Sequence, residues 1–229
     1  MIGIIGAMEI EIAGLVGKLT GAREIAAGKI TVTTGKLAKT SVAVCRCGIG
    51  KVHAATAATL MIRCFPKIDL IINLGVAGGV KPGIKQGDFV VATASVQHDY
   101  DLVADGLIKG QIHGYEKTAF DSDSAAVVKM CAVLQKLGFD YEKGIIASGD
   151  QFIWDKQKAV ELYNEHGAYA CDMETAAIAH VCDMFGKRFL GVRSMSDNAD
   201  GGAVEDFFEF AVKAAERSIA AVEAYIKVR

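Results

Sequence analysis

The stretch Tyr169 to His180 constrains the fold most, because two periodicities meet inside it. A short β-type run ends at Asp172, and a helical stripe of Met173, Ala176, Ala177, His180, Val181 and Met184 opens at once. A strand feeding a helix is the unit of an α/β sheet, and such sheets bind ligands at the carboxyl ends of their strands. Two acids, Asp172 and Glu174, stand at this junction. A helix dipole alone accommodates an acid there, so the pair by itself reads equally well as a cap or as part of a site.

The rest of the chain repeats the alternation. Ile2 to Ile5 reads as a buried strand running through Gly6 into a helix striped by Met8, Ile12, Leu15, Val16 and Leu19. Glu11 falls on the inward side of that stripe, where an unpartnered carboxylate costs several kcal/mol, unless it is a partly exposed first-turn acid. Ile30 to Thr34 and Ser41 to Cys47 read as paired strands. Gly48-Ile49-Gly50-Lys51 then leads into a helix over Val52 to Arg63. This glycine turn lacks the third glycine of a dinucleotide fingerprint and the Ser or Thr of a P-loop. Leu70 to Asn73 reads as a central strand, and Gly75-Val76-Ala77-Gly78-Gly79 as a loop whose amides approach a ligand or simply make a tight turn.

Phe89 to Ala94 is the next strand, and Gln97 to Thr118 is irregular. Ser124 to Leu137 reads as a helix, with Gly144 to Ser148, Ala168 to Cys171 and Phe189 to Arg193 as strands. A closing helix buries Phe208, Val212, Ala215, Ile219, Val222 and Ile226. Without a linker or repeat, residues 1–229 are expected to form a single domain, with a twisted mixed sheet flanked by helices.

Composition excludes several functions. At 229 residues and a net charge of -2, nothing favours a nucleic acid or an anionic membrane. The apolar runs are too short to span a bilayer. Six cysteines without a small-domain framework, and a start lacking a basic segment, lead to the expectation of a cytoplasmic protein with reduced thiols. Cys45 and Cys47 share a strand face without a second pair, so no metal and no cofactor are expected. His98 and His113 lie in the irregular stretch without metal-type spacing. What remains is a pocket fed by Glu11, Glu174 and Asp197 beside glycine loops, suited to acid–base chemistry on a polyhydroxylated or nitrogenous ligand, with Phe152 placed to stack on a planar ring.

Several ordered motifs carry a more specific signal. Ile4-Ile5-Gly6-Ala7-Met8-Glu9 with Glu11, Gly48-Ile49-Gly50-Lys51-Val52, Ile72-Asn73 with Gly75 and Ala77-Gly78-Gly79, Ser148-Gly149-Asp150 with Phe152-Ile153, Met173-Glu174 with Ala176 to Ala179, and Arg193 with Ser196-Asp197 resemble the 5′-methylthioadenosine/S-adenosylhomocysteine nucleosidases of the nucleoside phosphorylase/hydrolase superfamily. The resemblance implies the three-layer nucleoside phosphorylase-like fold, a homodimer, and cleavage of the adenine–ribose bond by water in methionine salvage. It further implies Asp197 as the acid at adenine N7, Glu11 as the base for water and Arg193 near that water. Glu174, with the backbone around Met173, takes the ribose hydroxyls. Phe152 stacks on adenine, the backbone of Ile153 reads its edge, Met8 lines the sugar, and Gly78 belongs to the binding loop.

The departures are specific. Val76 stands where the family often has serine, and valine offers phosphate no hydroxyl, which leans toward hydrolysis over phosphorolysis. Asp172 replaces a glutamate before Met-Glu. Leu102 to Leu107 replaces an aromatic stretch that in the family covers the 5′-substituent. A phosphorylase, a nucleosidase for another 5′-substituted adenosine or a futalosine-type substrate, and a non-catalytic nucleoside sensor are the competing readings.

Overall fold

The computed structural model describes residues 1–197 and 204–228, with the side chains of Asp197 and of residues 204–209 outside the described part. In chain order the elements are β1 (Ile2–Gly6), α1 (Glu9–Val16), β2 (Thr20–Ala27), β3 (Ile30–Leu37), β4 (Thr40–Arg46), α2 (Lys51–Cys64), β5 (Leu70–Gly79), β6 (Phe89–Gln97), β7 (Ala119–Asp121), α3 (Ser124–Leu137), β8 (Tyr141–Ser148), α4 (Lys156–His166), β9 (Ala168–Asp172), α5 (Thr175–Met184), β10 (Arg188–Asp197) and α6 (Val204–Lys227). A short 3-10 turn, Val103–Asp105, interrupts the irregular stretch after β6.

All ten strands join one mixed sheet in the order β10-β6-β8-β9-β5-β1-β4-β3-β2, with β7 on β6. β1 runs parallel to both β4 and β5, and is buried along its whole length. Strands covered on both faces need continuous apolar sequence, which Ile2, Ile4 and Ile5 supply, each fully buried side chain contributing about 1.5–3 kcal/mol. β10 pairs with β5 in parallel and with β6 in antiparallel, so β5, β10, β6, β8 and β9 close a circuit at one end of the sheet. On one face, Ile12 and Leu15 of α1, Val127, Met130 and Leu134 of α3 and Ile219 and Val222 of α6 form a core with Ile2, Ile4, Leu70 and Ile72. On the other, Ala54, Ala57 and Met61 of α2 meet Ile178, Val181 and Cys182 of α5. The sheet is thus a layer between two helical layers, as the sequence led one to expect.

The structure corrects several local readings. The glycine run after Asn73 is not a loop: β5 continues to Gly79, because β10 and β9 pair its two edges there. β2, β7 and α4 are additional elements. Leu19 lies beyond α1, which ends at Val16. Met184, at the frayed end of α5, and Val212 on α6 are exposed rather than buried. Ala215, Ile219, Val222 and Ile226 are buried as expected, while Phe208 lies among the undescribed side chains. His98, read as a loop residue, is buried, and burial lowers its pKa to about 4.

Candidate active site

A pocket with a cavity volume of about 350 Å³ opens where β1, β5, β9 and β10 end. Ala7, Met8 and Glu11 from the β1–α1 segment form part of its wall, with Val76, Ala77 and Gly78 of β5 beside them. Phe152 and Ile153 follow β8; Asp172, Met173 and Glu174 form the β9–α5 junction. Residues from four distant parts of the chain converge because the parallel strands β1, β5 and β10 end on one side. The end of β9 pairs antiparallel with the end of β5 there, with β8 beside β9.

Glu11 is one of the wall residues and is buried. Its Oε2 accepts from the backbone N–H groups of Ala7 at 2.7 Å and Met8 at 2.9 Å, and its Oε1 accepts from Val76 N–H at 3.0 Å. Three amides thus fix both oxygens. Burial raises the Glu11 pKa above its ordinary value, and Arg193 and the three amides offset only part of that rise. Gly75 makes the arrangement possible: a Cβ there would lie 2.9 Å from Glu11 Cδ and 3.3 Å from Arg193 Nη1.

Glu174, at the N-terminal end of α5, is also buried, and its Oε1 accepts from Gly50 N–H at 2.8 Å. Burial, then repulsion from Asp172, pushes its pKa up. Asp172 occupies the centre of a buried polar cluster. Its Oδ2 accepts from Arg193 Nε at 2.8 Å and Arg193 Nη2 at 2.6 Å, and also from Thr175 Oγ1. Its Oδ1 accepts from Ser148 Oγ, which in turn accepts from Ala176 N–H at 2.8 Å. Asn73 closes the cluster: its Oδ1 accepts from Arg193 Nη2 at 2.5 Å and Thr175 Oγ1 at 3.1 Å, and its Nδ2 donates to Ile5 O at 2.9 Å.

The pocket wall therefore brings together Met8, Glu11, Gly78, Phe152, Ile153, Met173 and Glu174. Arg193 is the exception. It is buried behind the wall, paired with Asp172, and does not line the cavity. Asp197 ends β10 opposite Gly78, and its side chain lies outside the described residues. Ala7, Ile49, Gln151, Cys171 and Ser196 also line the pocket. None was named as a site residue, although Ala7, Ile49 and Ser196 fall within motifs that carry the family resemblance. Ser148, in another of those motifs, and Thr175 were likewise not named, because their role is to hold Asp172 rather than to face the pocket. No basic side chain lines the pocket among the described residues.

The profile of the phosphorylase superfamily matches residues 1–227. A 5′-methylthioadenosine/S-adenosylhomocysteine nucleosidase from Actinobacillus succinogenes is 40% identical over 218 residues, 95% of this chain and 94% of its own length. The chain belongs to the nucleosidase family of that name. Among solved structures, the 5′-methylthioadenosine/S-adenosylhomocysteine nucleosidase of Neisseria meningitidis in complex with methylthio-immucillin-A superposes with a TM-score of 0.95 at 34% identity, covering 100% of this chain and 99% of that one. The native futalosine hydrolase of Helicobacter pylori superposes with a TM-score of 0.93 at 33% identity, covering 100% and 97%. The nucleosidase resemblance and the three-layer fold read from the motifs are both correct for this family member.

Proposed function

We propose that this nucleosidase-family protein hydrolyses the adenine–ribose bond of 5′-methylthioadenosine and S-adenosylhomocysteine. The observation that carries the reading is Glu11, held by three amides in the wall of a pocket that Met173 and Glu174 also line. Glu11 receives a proton from water as that water attacks the anomeric carbon. Its raised pKa brings it nearer the working pH, where a general base is most effective. Asp197 supplies the proton or hydrogen bond at adenine N7, Phe152 stacks on the base, and backbone groups of Ile153 read its edge. Glu174 takes the ribose hydroxyls. Positive charge developing on the sugar is favoured by the neighbouring carboxylates. Arg193 contributes through Asp172 and through its field on Glu11, rather than by direct contact with water.

Water is favoured over phosphate as the nucleophile for a reason beyond the missing hydroxyl at Val76. The Val76 amide is already engaged by Glu11, and Arg193 is already engaged by Asp172. A phosphate dianion entering beside Glu11 would meet its carboxylate with no basic side chain among the described pocket-lining residues to receive it. A futalosine-type substrate is the second reading, favoured by the likeness to futalosine hydrolase and by the exposed Val103 in the stretch Leu102 to Leu107, where aromatic residues were expected. Ile49 and Phe152 on the pocket rim are exposed, as are Val52 and Trp154 next to them in the chain, which supports a homodimer that covers this apolar surface. Sedimentation of a monomer at micromolar concentration would contradict the dimer. Release of adenine from methylthioadenosine and from adenosylhomocysteine by the purified protein tests the reaction. Cleavage of futalosine alone would transfer the reading to the second substrate class.

A further inference from the structure

A relay of polar contacts joins three loops outside the pocket wall and ends on Glu174. Gly50, whose N–H donates to Glu174 Oε1, has φ 102°, and a Cβ there would lie 2.9 Å from Asp150 Oδ1. Lys51 follows as the first residue of α2, and its N–H donates to Asp150 Oδ1 at 2.7 Å. The Lys51 ammonium donates to Asp99 Oδ1 at 2.6 Å and to Gln97 Oε1 at 3.2 Å. Asp99 Oδ2 then accepts from Asp150 N–H at 2.9 Å. One carboxylate just past β6 thereby holds both the turn before α2 and the turn after β8.

The Lys51 and Asp99 side chains are only 20% and 16% exposed, so solvent screens their attraction less than that of a surface pair. Burial would raise the Asp99 pKa, but Lys51 and the Asp150 amide outweigh it and keep the group ionised below its ordinary range. Upstream, the turn is anchored by Cys47 N–H to Gly6 O and Gly48 N–H to Ala7 O. Downstream of Gly48, these contacts from Asp99 and Asp150 help set where the Gly50 amide points.

We propose that Asp99 and Lys51 are positioning residues that hold the Gly50 amide against Glu174 and so fix the orientation of that carboxylate toward a ribose diol. This rests on the reading that Glu174 takes the ribose hydroxyls. Neither residue lines the pocket. With Oε1 held by an amide, rotation of the carboxylate about its last bond is restricted, which narrows where a pair of hydroxyls meets it. A pair that merely fastened loops would affect every substrate equally; a pair that orients Glu174 affects those with the hydroxyls Glu174 receives.

The test compares Asp99→Asn, Lys51→Met and the double variant on methylthioadenosine and its 3′-deoxy counterpart. The ratio of kcat/KM between the two substrates is expected to fall about tenfold in each single variant, the scale of one ordinary hydrogen bond. The double variant should fall no further, because both changes break one pair. Lys51→Arg, which keeps the charge, should retain most of the discrimination. Amide exchange at Gly50, followed by NMR on the full-length protein, should quicken in both single variants. An unchanged substrate ratio in both would overturn the proposal, as would unchanged Gly50 exchange in both. If the wild type leaves methylthioadenosine intact, it is the reaction assignment that fails, and Gly50 exchange alone decides the relay.

Discussion

Gly75→Ala is the perturbation that most directly probes how Glu11 is held. The added methyl would stand 2.9 Å from Glu11 Cδ, where ordinary carbon contacts begin at about 3.5 Å. The carboxylate must therefore retreat by roughly 0.6–1 Å, since the pairing of Gly75 with Arg193 of β10 restrains the backbone. Retreat lengthens the contact from Val76 N–H and takes the base off the line to the attacked carbon. A misplacement of about 1 Å costs on the order of 100-fold in turnover, or about 2.7 kcal/mol in the barrier. The assay is adenine release, with kcat and KM measured separately and folding checked by thermal melting. The expected result is a kcat loss near 100-fold with KM little changed. In a Glu11→Gln background the same substitution should lower turnover no further, because the base it displaces is already disabled. A folded Gly75→Ala protein with kcat within about threefold of wild type would refute the argument that Glu11 placement is what this glycine protects.

Three further outcomes follow from the buried charges. The acid limb of kcat/KM should have its midpoint above 4.5, since burial raises Glu11 and the base works only when deprotonated; a limb at or below 4.5 would remove Glu11 as that base. Asp172→Asn should destabilise the fold by about 3 kcal/mol, because Arg193 stays buried without its hydrogen-bonded countercharge, and a melting temperature within 1–2 °C of wild type would contradict that (about 2–4 °C per kcal/mol is expected for a chain of this size). Glu174 is raised to about 8 in the fold, so between the ordinary carboxylate range and that value the folded protein holds a proton the unfolded chain has released. Wild-type stability then falls as pH rises through this window, and Glu174→Gln should melt progressively higher than wild type from pH 5 to pH 8. A constant gap between the two melting curves would count against a buried, raised Glu174.

How far the sequence revealed this arrangement depended on whether a residue belonged to a period. β1, the first half of β5 and the β9–α5 junction were legible because burial on both faces demands unbroken apolar runs or helical stripes. β2 was illegible for the opposite reason: it is an edge strand exposed along nearly all its length, so no pattern was imposed on it. α4 buries only Ala159 and Leu162 and offers no stripe to find. The glycine stretch of β5 has loop composition, and only pairing with β9 and β10, which lie about 90 to 120 positions later, keeps it extended. Glu11 could be named as a site residue because an acid on an apolar stripe is conspicuous, and Glu174 because it stands where a strand feeds a helix. Arg193 was named, but its pairing was not legible, since the acid that engages it lies 21 positions away in another strand. The pairing of Asp99 with Lys51, 48 positions apart, had no local signature.

Whether water or phosphate attacks the sugar in this pocket decides between a hydrolase and a phosphorylase. Methylthioadenosine incubated with the purified protein in phosphate-free buffer, and again with phosphate added, gives products that chromatography resolves. The account predicts free adenine and free methylthioribose in equal amounts at the same rate in both buffers. Product that forms only with phosphate, as a sugar 1-phosphate, would contradict it.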